Sequence, residues 1–288
     1  MFSRQVAMIL CVYLFPFGAS LAQTPGTTQP QYGIITLHVL VVGHDGMPLT
    51  DLSQNELELY EGKEKQTIES ISRTPEAPAE IGFLIDNSNS AAGSLRTLKW
   101  QDDADPAGDL LRTGDLAFVA TFTRTHTLTC PLTSDLGQVK SSFRNALAPP
   151  PFQGVTSLYD AIFWASSEEF SAPSSHKTLI VISDMEDNTS EHTRFEAIGP
   201  AQQLGISIYP ISLQALTSRG LTVADSIASK TGGLTFTDYN LNDLKMTFRR
   251  IRSGIDNTYL VAYRSKSAGS SHVKIRCTRK GTRILTPG

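Results

Sequence analysis

The sequence predicts an α/β protein with a doubly wound, mostly parallel sheet that has helices on both faces. The chain has 288 residues, of which 40% are apolar and 18% charged, so it can bury a substantial core as one large domain or two small ones. In its central part, apolar runs rich in β-branched residues alternate with helical segments, a pattern typical of parallel strands joined by crossover helices. Segments rich in β signals flank this part on both sides.

The N-terminus predicts a cleaved secretory signal peptide over residues 1–22. Arg4 precedes an apolar run at 6–17, and the small residues of GASLAQ follow, as a signal peptidase requires. The run contains Pro16 and is shorter than the roughly 20 apolar residues that span a bilayer; an uncleaved membrane anchor is the alternative. No other segment has the length and apolarity of a span. We therefore expect no membrane span in the mature protein and a periplasmic or extracellular location.

The segment after the signal is predicted to be a tether followed by β structure. Residues 23–31 are polar and contain proline, a composition typical of flexible linkers. A β-branched strand is predicted at 32–42, and alternating apolar and polar residues around EGKE predict a hairpin within 56–72. Two prolines within 73–80 predict a boundary. The N-terminal β segment is therefore expected to span 32–74.

Residues 80–254 are predicted to form the α/β part. The predicted strands lie at 80–86, 115–122, 178–183, 206–211 and, more briefly, 234–237. The predicted helices lie at 92–112, 135–147, 157–170, 193–204, 221–230 and 240–253. Pro106 is expected to end or kink the first helix because it lacks a backbone N–H. The sequence HTLTCPLT predicts a short antiparallel strand at the sheet edge, and β signals return over 255–288.

Composition and motifs argue against a nucleic-acid-binding protein or an enzyme. The net charge is −3, and lysine and arginine are spread along the chain, so no basic patch for nucleic acid is predicted. The chain contains no G-x-S-x-G, H-E-x-x-H or phosphate-loop motif, and its six histidines show no metal-ligand spacing. Cys130 and Cys277 remain after signal cleavage; they either pair in an oxidising compartment or stay independent thiols.

Oxygen-bearing side chains follow two predicted strands and precede one helix. Asp86, Ser88 and Ser90 lie at alternate positions after the first α/β strand, Asp184 follows TLIVIS, and Thr156 precedes the third helix. Because ligands of open parallel sheets bind beyond the carboxyl ends of the strands, we expect these residues to lie close together. Singly, each has an ordinary role as an Asx turn, an N-cap or a strand-end carboxylate.

These side chains offer carboxylate and hydroxyl oxygens but no thiol or imidazole, so they predict a site for a hard cation. Mg²⁺ is the favoured ion, and Mn²⁺ and Ca²⁺ are the alternatives. Neutral hydroxyl ligands leave the ion short of negative charge and with a free position. Water or an acidic group of a partner would fill that position. Asn87 and Asn89, between the alternate ligands, are expected to face outward.

These motifs resemble the von Willebrand factor A (vWA) domain and its metal-ion-dependent adhesion site, DxSxS…T…D. The matching elements are DNSNS, the threonine of GVTSLYDAI and the aspartate of VISDMEDN, and the resemblance covers about 80–254. It implies a Rossmann-like fold and adhesion to a protein ligand that offers a Glu or Asp carboxylate. Met185 departs from the family pattern, in which many members have glycine.

The flanking segments resemble the exported, Acidobacterial-type class of bacterial proteins related to this domain. That resemblance implies that 32–74 and 255–288 pack together as a small β-sandwich-like module beside the vWA domain. The function predicted is therefore that of an exported, non-enzymatic, metal-binding adhesion protein. The alternatives are a scaffold protein with a non-functional metal site and, less favoured, a metal-dependent hydrolase.

Overall fold

The computed structural model describes residues 33–73, 77–97, 105–148, 154–170, 176–238, 240–265 and 273–287. The predicted signal peptide (1–22) and tether (23–31) lie outside the described residues. Within the described ranges, every helix is too short or too polar to cross a lipid bilayer.

The described residues alternate between strands and helices along the chain. The strands are β1 (Ile34–Val42), β2 (Leu57–Glu61), β3 (Glu64–Gln66), β4 (Ile68–Arg73), β5 (Ala79–Asp86), β6 (Leu116–Phe122), β7 (His126–Thr133), β8 (His176–Ile182), β9 (Ile206–Ser212), β10 (Phe236–Thr237), β11 (Tyr259–Arg264), β12 (Val273–Cys277) and β13 (Arg283–Leu285). The α-helices are α1 (Asn89–Thr97), α2 (Leu136–Ala146), α3 (Leu158–Trp164), α4 (Arg194–Leu204), α5 (Ser218–Thr231) and α6 (Leu241–Asp256).

A six-stranded sheet forms the centre of the α/β unit, in the order β10-β9-β8-β5-β6-β7. The neighbouring strands run parallel except for β7, which pairs antiparallel with β6 at the edge. All eight residues of β5 are buried, as expected for a central strand covered on both faces. The predicted fold class and the predicted edge strand are therefore confirmed.

Helices cover both faces of this sheet because side chains of β5 alternate between two cores. Phe83 lies in one core, where its ring packs against Phe143 of α2 and Phe248 of α6. Leu84 lies in the other core, with Ile162 of α3 and residues of α4 and α5. The alternation follows from the period of two in a strand.

The ends of four helices carry side chains and glycines that cap them. Four side chains accept a hydrogen bond from a backbone N–H in the first turn of α2, α4, α5 or α6; they are Asp135, Thr193, Thr217 and Asn240. Helices α4 and α5 end at Gly205 and Gly232, whose φ angles of 68° and 79° favour glycine. The corresponding predicted helices are confirmed to within a few residues at each end.

The first predicted helix, 92–112, is wrong in its extent. Helix α1 covers Asn89–Thr97, residues 98–104 lie outside the described residues, and residues 107–109 form only a short 3₁₀ turn. Pro106 cannot donate a backbone hydrogen bond, and the Asp105 carboxylate accepts the Gly108 N–H at 3.0 Å instead. Helix α3 also ends early, at Trp164, and a π-helical turn continues it to residue 169.

Strands from the two ends of the chain join in two antiparallel sheets, β13-β1-β11-β4 and β12-β2-β3. We call them together the β module. Val39 of β1, Leu59 of β2 and Val261 of β11 lie in a common core between the sheets, so the module is sandwich-like. Leu40 points to the other face of β1 and packs with Leu234 of the α/β unit. The prediction that N- and C-terminal strands pack together is confirmed.

A buried ion pair joins α6 to the beginning of the central sheet. Arg252 Nη1 lies 2.7 Å from Asp115 Oδ2, and the two side chains are 4% and 1% exposed. Arg252 also donates to Asp256, while Asp115 Oδ1 accepts the Ala79 N–H at 2.8 Å. The carboxylate therefore connects helix α6 with the start of β5.

We expect Asp115→Ala to lower the free energy of unfolding by about 3 kcal/mol, because it leaves Arg252 buried with one carboxylate fewer. The matched control is Glu69→Ala, which breaks the exposed Arg264–Glu69 pair. That change should cost less than about 1 kcal/mol. Urea unfolding of both variants measures the difference, and equal losses would contradict the role assigned to Asp115.

Candidate metal centre

The parallel register of β5 and β8 brings two aspartates to the same edge of the central sheet. Ile85 pairs with Ile182, so Asp86 and Asp184 both follow at the carboxyl ends of adjacent strands. The third predicted stretch reaches the same edge, because the Asn89 N–H donates to the Gly154 carbonyl at 3.2 Å. The three stretches that the sequence analysis singled out therefore meet.

Asp86 is fully buried and both of its carboxylate oxygens accept hydrogen bonds. Oδ1 accepts the Ser88 N–H at 2.8 Å, and Oδ2 accepts the Ser183 hydroxyl at 2.6 Å. Burial raises the pKa of Asp86 to about 6, against the effect of these hydrogen bonds, and the negative charge of Asp184 adds to the rise. A cation at this edge would stabilise the ionised form.

The two serines of the DxSxS element lie side by side. Ser88 is buried and Ser90 is exposed in the first turn of α1, and their hydroxyl oxygens are 3.3 Å apart. Asn89 is exposed as expected. Asn87 was expected to face outward but is buried, because its N–H continues the sheet by donating to the Phe122 carbonyl at 2.8 Å.

Thr156 supplies a buried hydroxyl for which the described part of the chain offers no hydrogen-bond partner. The residue is 1% exposed, and its Oγ1 makes no hydrogen bond among the described residues. Its carbonyl, in contrast, accepts the N–H groups of Asn188 and Thr189 at 2.9 and 3.1 Å. Buried hydroxyls are almost always hydrogen-bonded or coordinated. We therefore expect this oxygen to bind a ligand.

The loop after β8 holds the threonine loop in place. Asp187 Oδ1 accepts the Leu158 N–H at 2.9 Å, and the Ser190 hydroxyl accepts the Tyr159 N–H at 3.0 Å. These side chains, rather than Ser157, cap helix α3. Sequence reasoning missed both residues because capping partners are normally sought within a few positions, whereas Asp187 is 29 positions away.

Ser183 is a further residue that sequence reasoning missed. Its hydroxyl donates to Asp86 and accepts the Met185 N–H at 3.0 Å, so it connects the ends of β5 and β8. Its position immediately before Asp184 is the one signal that marks it. Asp184 itself is 7% exposed and its Oδ1 accepts the Glu186 N–H at 3.1 Å.

Met185 has a left-handed backbone with φ of 62°, the one non-glycine residue with positive φ in the part of the chain that the structure describes. Its side chain is 1% exposed and lies in the core with residues of α3, α4 and α5. Glycine would adopt this φ without strain. Methionine at this position therefore strains the backbone, but it buries an apolar side chain that glycine would lack.

The donor set fits a hard divalent cation. Its carboxylates belong to Asp86 and Asp184, and its hydroxyls to Ser88, Ser90 and Thr156. Among the described residues, no group of three or more histidine, cysteine, aspartate or glutamate residues is arranged to hold a metal, so the hydroxyl oxygens are needed to complete a site here. Oxygen-only ligands are the preference of Mg²⁺, Mn²⁺ and Ca²⁺.

The two cysteines lie apart from this centre and from each other. Cys130 is buried in β7 and Cys277 is half-buried in β12. Both are free thiols, so the structure contains no disulfide between them. Burial raises the pKa of the Cys130 thiol, which disfavours the reactive thiolate.

A scan against protein-family models gave no match, and a comparison with curated proteins gave none either. Among solved structures, the conserved hypothetical protein BatB from Bacteroides thetaiotaomicron is 18% identical over 61% of this chain and 98% of its own, with a TM-score of 0.47. A von Willebrand factor type A structure from Catenulispora acidiphila is 14% identical over 80% of this chain and 51% of its own, with a TM-score of 0.48. Proximal thread matrix protein 1 from the mussel byssus, with a zinc-occupied MIDAS motif, is 16% identical over 68% of this chain and 49% of its own, with a TM-score of 0.47.

We expect Met185→Gly to be more stable than Met185→Ala by about 1 kcal/mol, because both lose the buried side chain but only glycine adopts positive φ without strain. Both should be less stable than the natural protein by about 2 kcal/mol or more. Ala201→Gly in α4 is the control: there glycine should be the less stable residue by about 1 kcal/mol. Urea unfolding of the three variants checks this, and a Met185→Ala protein more stable than Met185→Gly would contradict it.

Proposed function

We propose that the protein is an exported vWA-type binding protein that holds a divalent cation, Mg²⁺ in preference to Mn²⁺ or Ca²⁺. The ligands would be Asp86, Ser88, Ser90, Thr156 and Asp184. The cation would bind a Glu or Asp carboxylate of a protein partner. The observation that supports this most directly is the buried Thr156 hydroxyl, which has no partner among the described residues and lies at the meeting point of the aspartate-bearing loops.

The charge of the donor set supports a role in adhesion. Two carboxylates supply no more negative charge than a divalent ion carries, and hydroxyl oxygens add ligands without adding charge, so the centre has no excess negative charge to repel a further anionic group. An ion held in this way retains affinity for a further anionic oxygen. Mg²⁺ also keeps positions for water, which a partner carboxylate can replace. The ion would attract the partner carboxylate electrostatically, while Asp86 and Asp184 hold the ion in position.

A binding role is favoured over a catalytic one by the side chains at the centre. The proposed ligands include no histidine, cysteine or lysine, the residues that most often act as a general base or a nucleophile in enzymes. Export is proposed from the predicted signal peptide over residues 1–22. Outside the cytoplasm, a cation-dependent adhesion centre would meet partners on other proteins or cells.

Calorimetric titration with Mg²⁺ tests the proposed centre. We expect Asp184→Asn and Thr156→Val to weaken Mg²⁺ binding by about tenfold or more, because each removes an oxygen ligand or its charge. Asp225→Asn is the control, since Asp225 is an exposed carboxylate on α5 outside the centre. It should leave Mg²⁺ binding unchanged. If the natural protein takes up no Mg²⁺, Mn²⁺ or Ca²⁺ that depends on Asp184, the proposed centre is wrong.

Affinity capture from the secretome of the source organism tests the partner. We expect a protein to be retained in Mg²⁺, released by a chelator and not captured by the Asp184→Asn variant. Retention that is insensitive to chelator and to Asp184→Asn would support a scaffold with a non-functional metal site. Ester or phosphate turnover that requires Asp86 would support a hydrolase instead.

A further inference from the structure

Two histidines meet where the β module contacts the α/β unit. His38 lies in β1 and His176 begins β8, at the end of the central sheet opposite the candidate metal centre. Their ring centroids are 5.3 Å apart and the ring planes meet at 72°. His176 is 6% exposed. The contact therefore places two titratable rings within the junction of two structural units.

A solvent-open cleft beside the rings gives protons access to them. The cleft is lined from both units by residues that include His38, His176, Lys177, Tyr209 and Leu285. The β module contributes His38 and Leu285, while the α/β unit contributes the other three. A change in charge here would act on both units at once.

The surroundings of the rings disfavour their protonation. Burial lowers the pKa of His176 from 6.5 to about 4, and the neighbouring His38 and the Arg252 guanidinium add to the decrease. Burial also lowers the pKa of His38, with a contribution from the positive charge of Lys177. Both rings are therefore neutral at pH 7.

The other titratable and charged groups that face the junction lie on α6, β5 and β9 and just before β6. Arg252 is paired with Asp115 and Asp256. Glu80 is buried on β5 as the register partner of the lysine beside the rings. Burial raises the pKa of the Tyr209 hydroxyl, which is therefore uncharged at pH 7. Hence the carboxylates of Asp115 and Asp256 are paired with Arg252, and the Glu80 carboxylate is buried within the sheet.

We propose that the His38–His176 contact is an acid-sensitive joint, at which protonation of either imidazole weakens the contact between the β module and the α/β unit. The joint is independent of the metal centre, which lies at the other end of β8. Protonation would place a positive charge against a second imidazole and beside Lys177 or Arg252. Opening toward the cleft would return the charged ring to water.

The sign of the effect follows from the direction of the pKa changes. Both rings have a lower pKa in the closed junction than in water, so closure favours the neutral forms. The contribution of the contact is complete above pH 6.5 and is lost as the pH falls toward about 4 for His176. At about pH 5, His176 alone should shift the junction toward the open form by roughly thirtyfold.

The first test follows the imidazole C2–H resonances of the unaltered protein by NMR as the pH is lowered. We expect His176 to titrate well below pH 6.5, and the pKa of His38 to be lowered from 6.5 as well. This measurement needs no variant. Titration of His176 near its ordinary pKa would overturn the proposal.

The second test compares amide hydrogen exchange in β1 and β11 with exchange in β5 and β6, at about pH 7.5 and about pH 5. After correction for intrinsic rates, we expect β1 and β11 to gain exchange by tenfold or more at the lower pH, with little change in β5 and β6. The H38Q/H176Q double variant should lose this difference, whereas His44→Gln should keep it. An identical pH dependence in the natural protein and the double variant would overturn the proposal.

Discussion

The parallel pairing of β5 with β8 is the constraint on which both ends of the molecule depend. Their register runs from Ala79 opposite His176 to Ile85 opposite Ile182. At the carboxyl end it delivers two aspartates to one edge, and at the other end it sets a histidine against the β module. Burial on both faces of β5 holds the register, because a slip of one residue would exchange the side chains of the two cores.

Two buried carboxylates, those of Asp115 and Asp86, have different surroundings. Asp115 is fully compensated within the chain, since Arg252 and two backbone N–H groups contact its oxygens. Asp86 is equally buried, but the donors to it among the described residues are neutral, and its pKa is raised to about 6. A charge buried without a counter-charge is costly. The contrast distinguishes a structural carboxylate from one suited to a cation. The Thr156 hydroxyl, which has no partner within the described ranges, lies on the same edge.

Sequence reasoning succeeded where a pattern repeats locally and failed where a partner is distant or a breaker intervenes. The strand β5 and the helices α4 and α5 were predicted because their signals lie within a few positions along the chain. The first helix was predicted to extend to residue 112, whereas Leu110 and Leu111, which follow Pro106, reach the core from a short turn. Asn87 was misjudged because a side-chain alternation ignores the strand pairing that continues beyond Asp86.

The sequence by itself determined the α/β class, the strands that alternate in burial and the identity of the oxygen-bearing residues, because these follow from local periodicity and side-chain chemistry. Only the tertiary structure decided which groups have partners. It shows that Asp187 caps a helix 29 positions away and that the Thr156 hydroxyl stays unpartnered among the described residues. It also brings the rings of two histidines that are distant in sequence into contact. Those facts depend on packing between distant segments, and no local pattern encodes the distances between them.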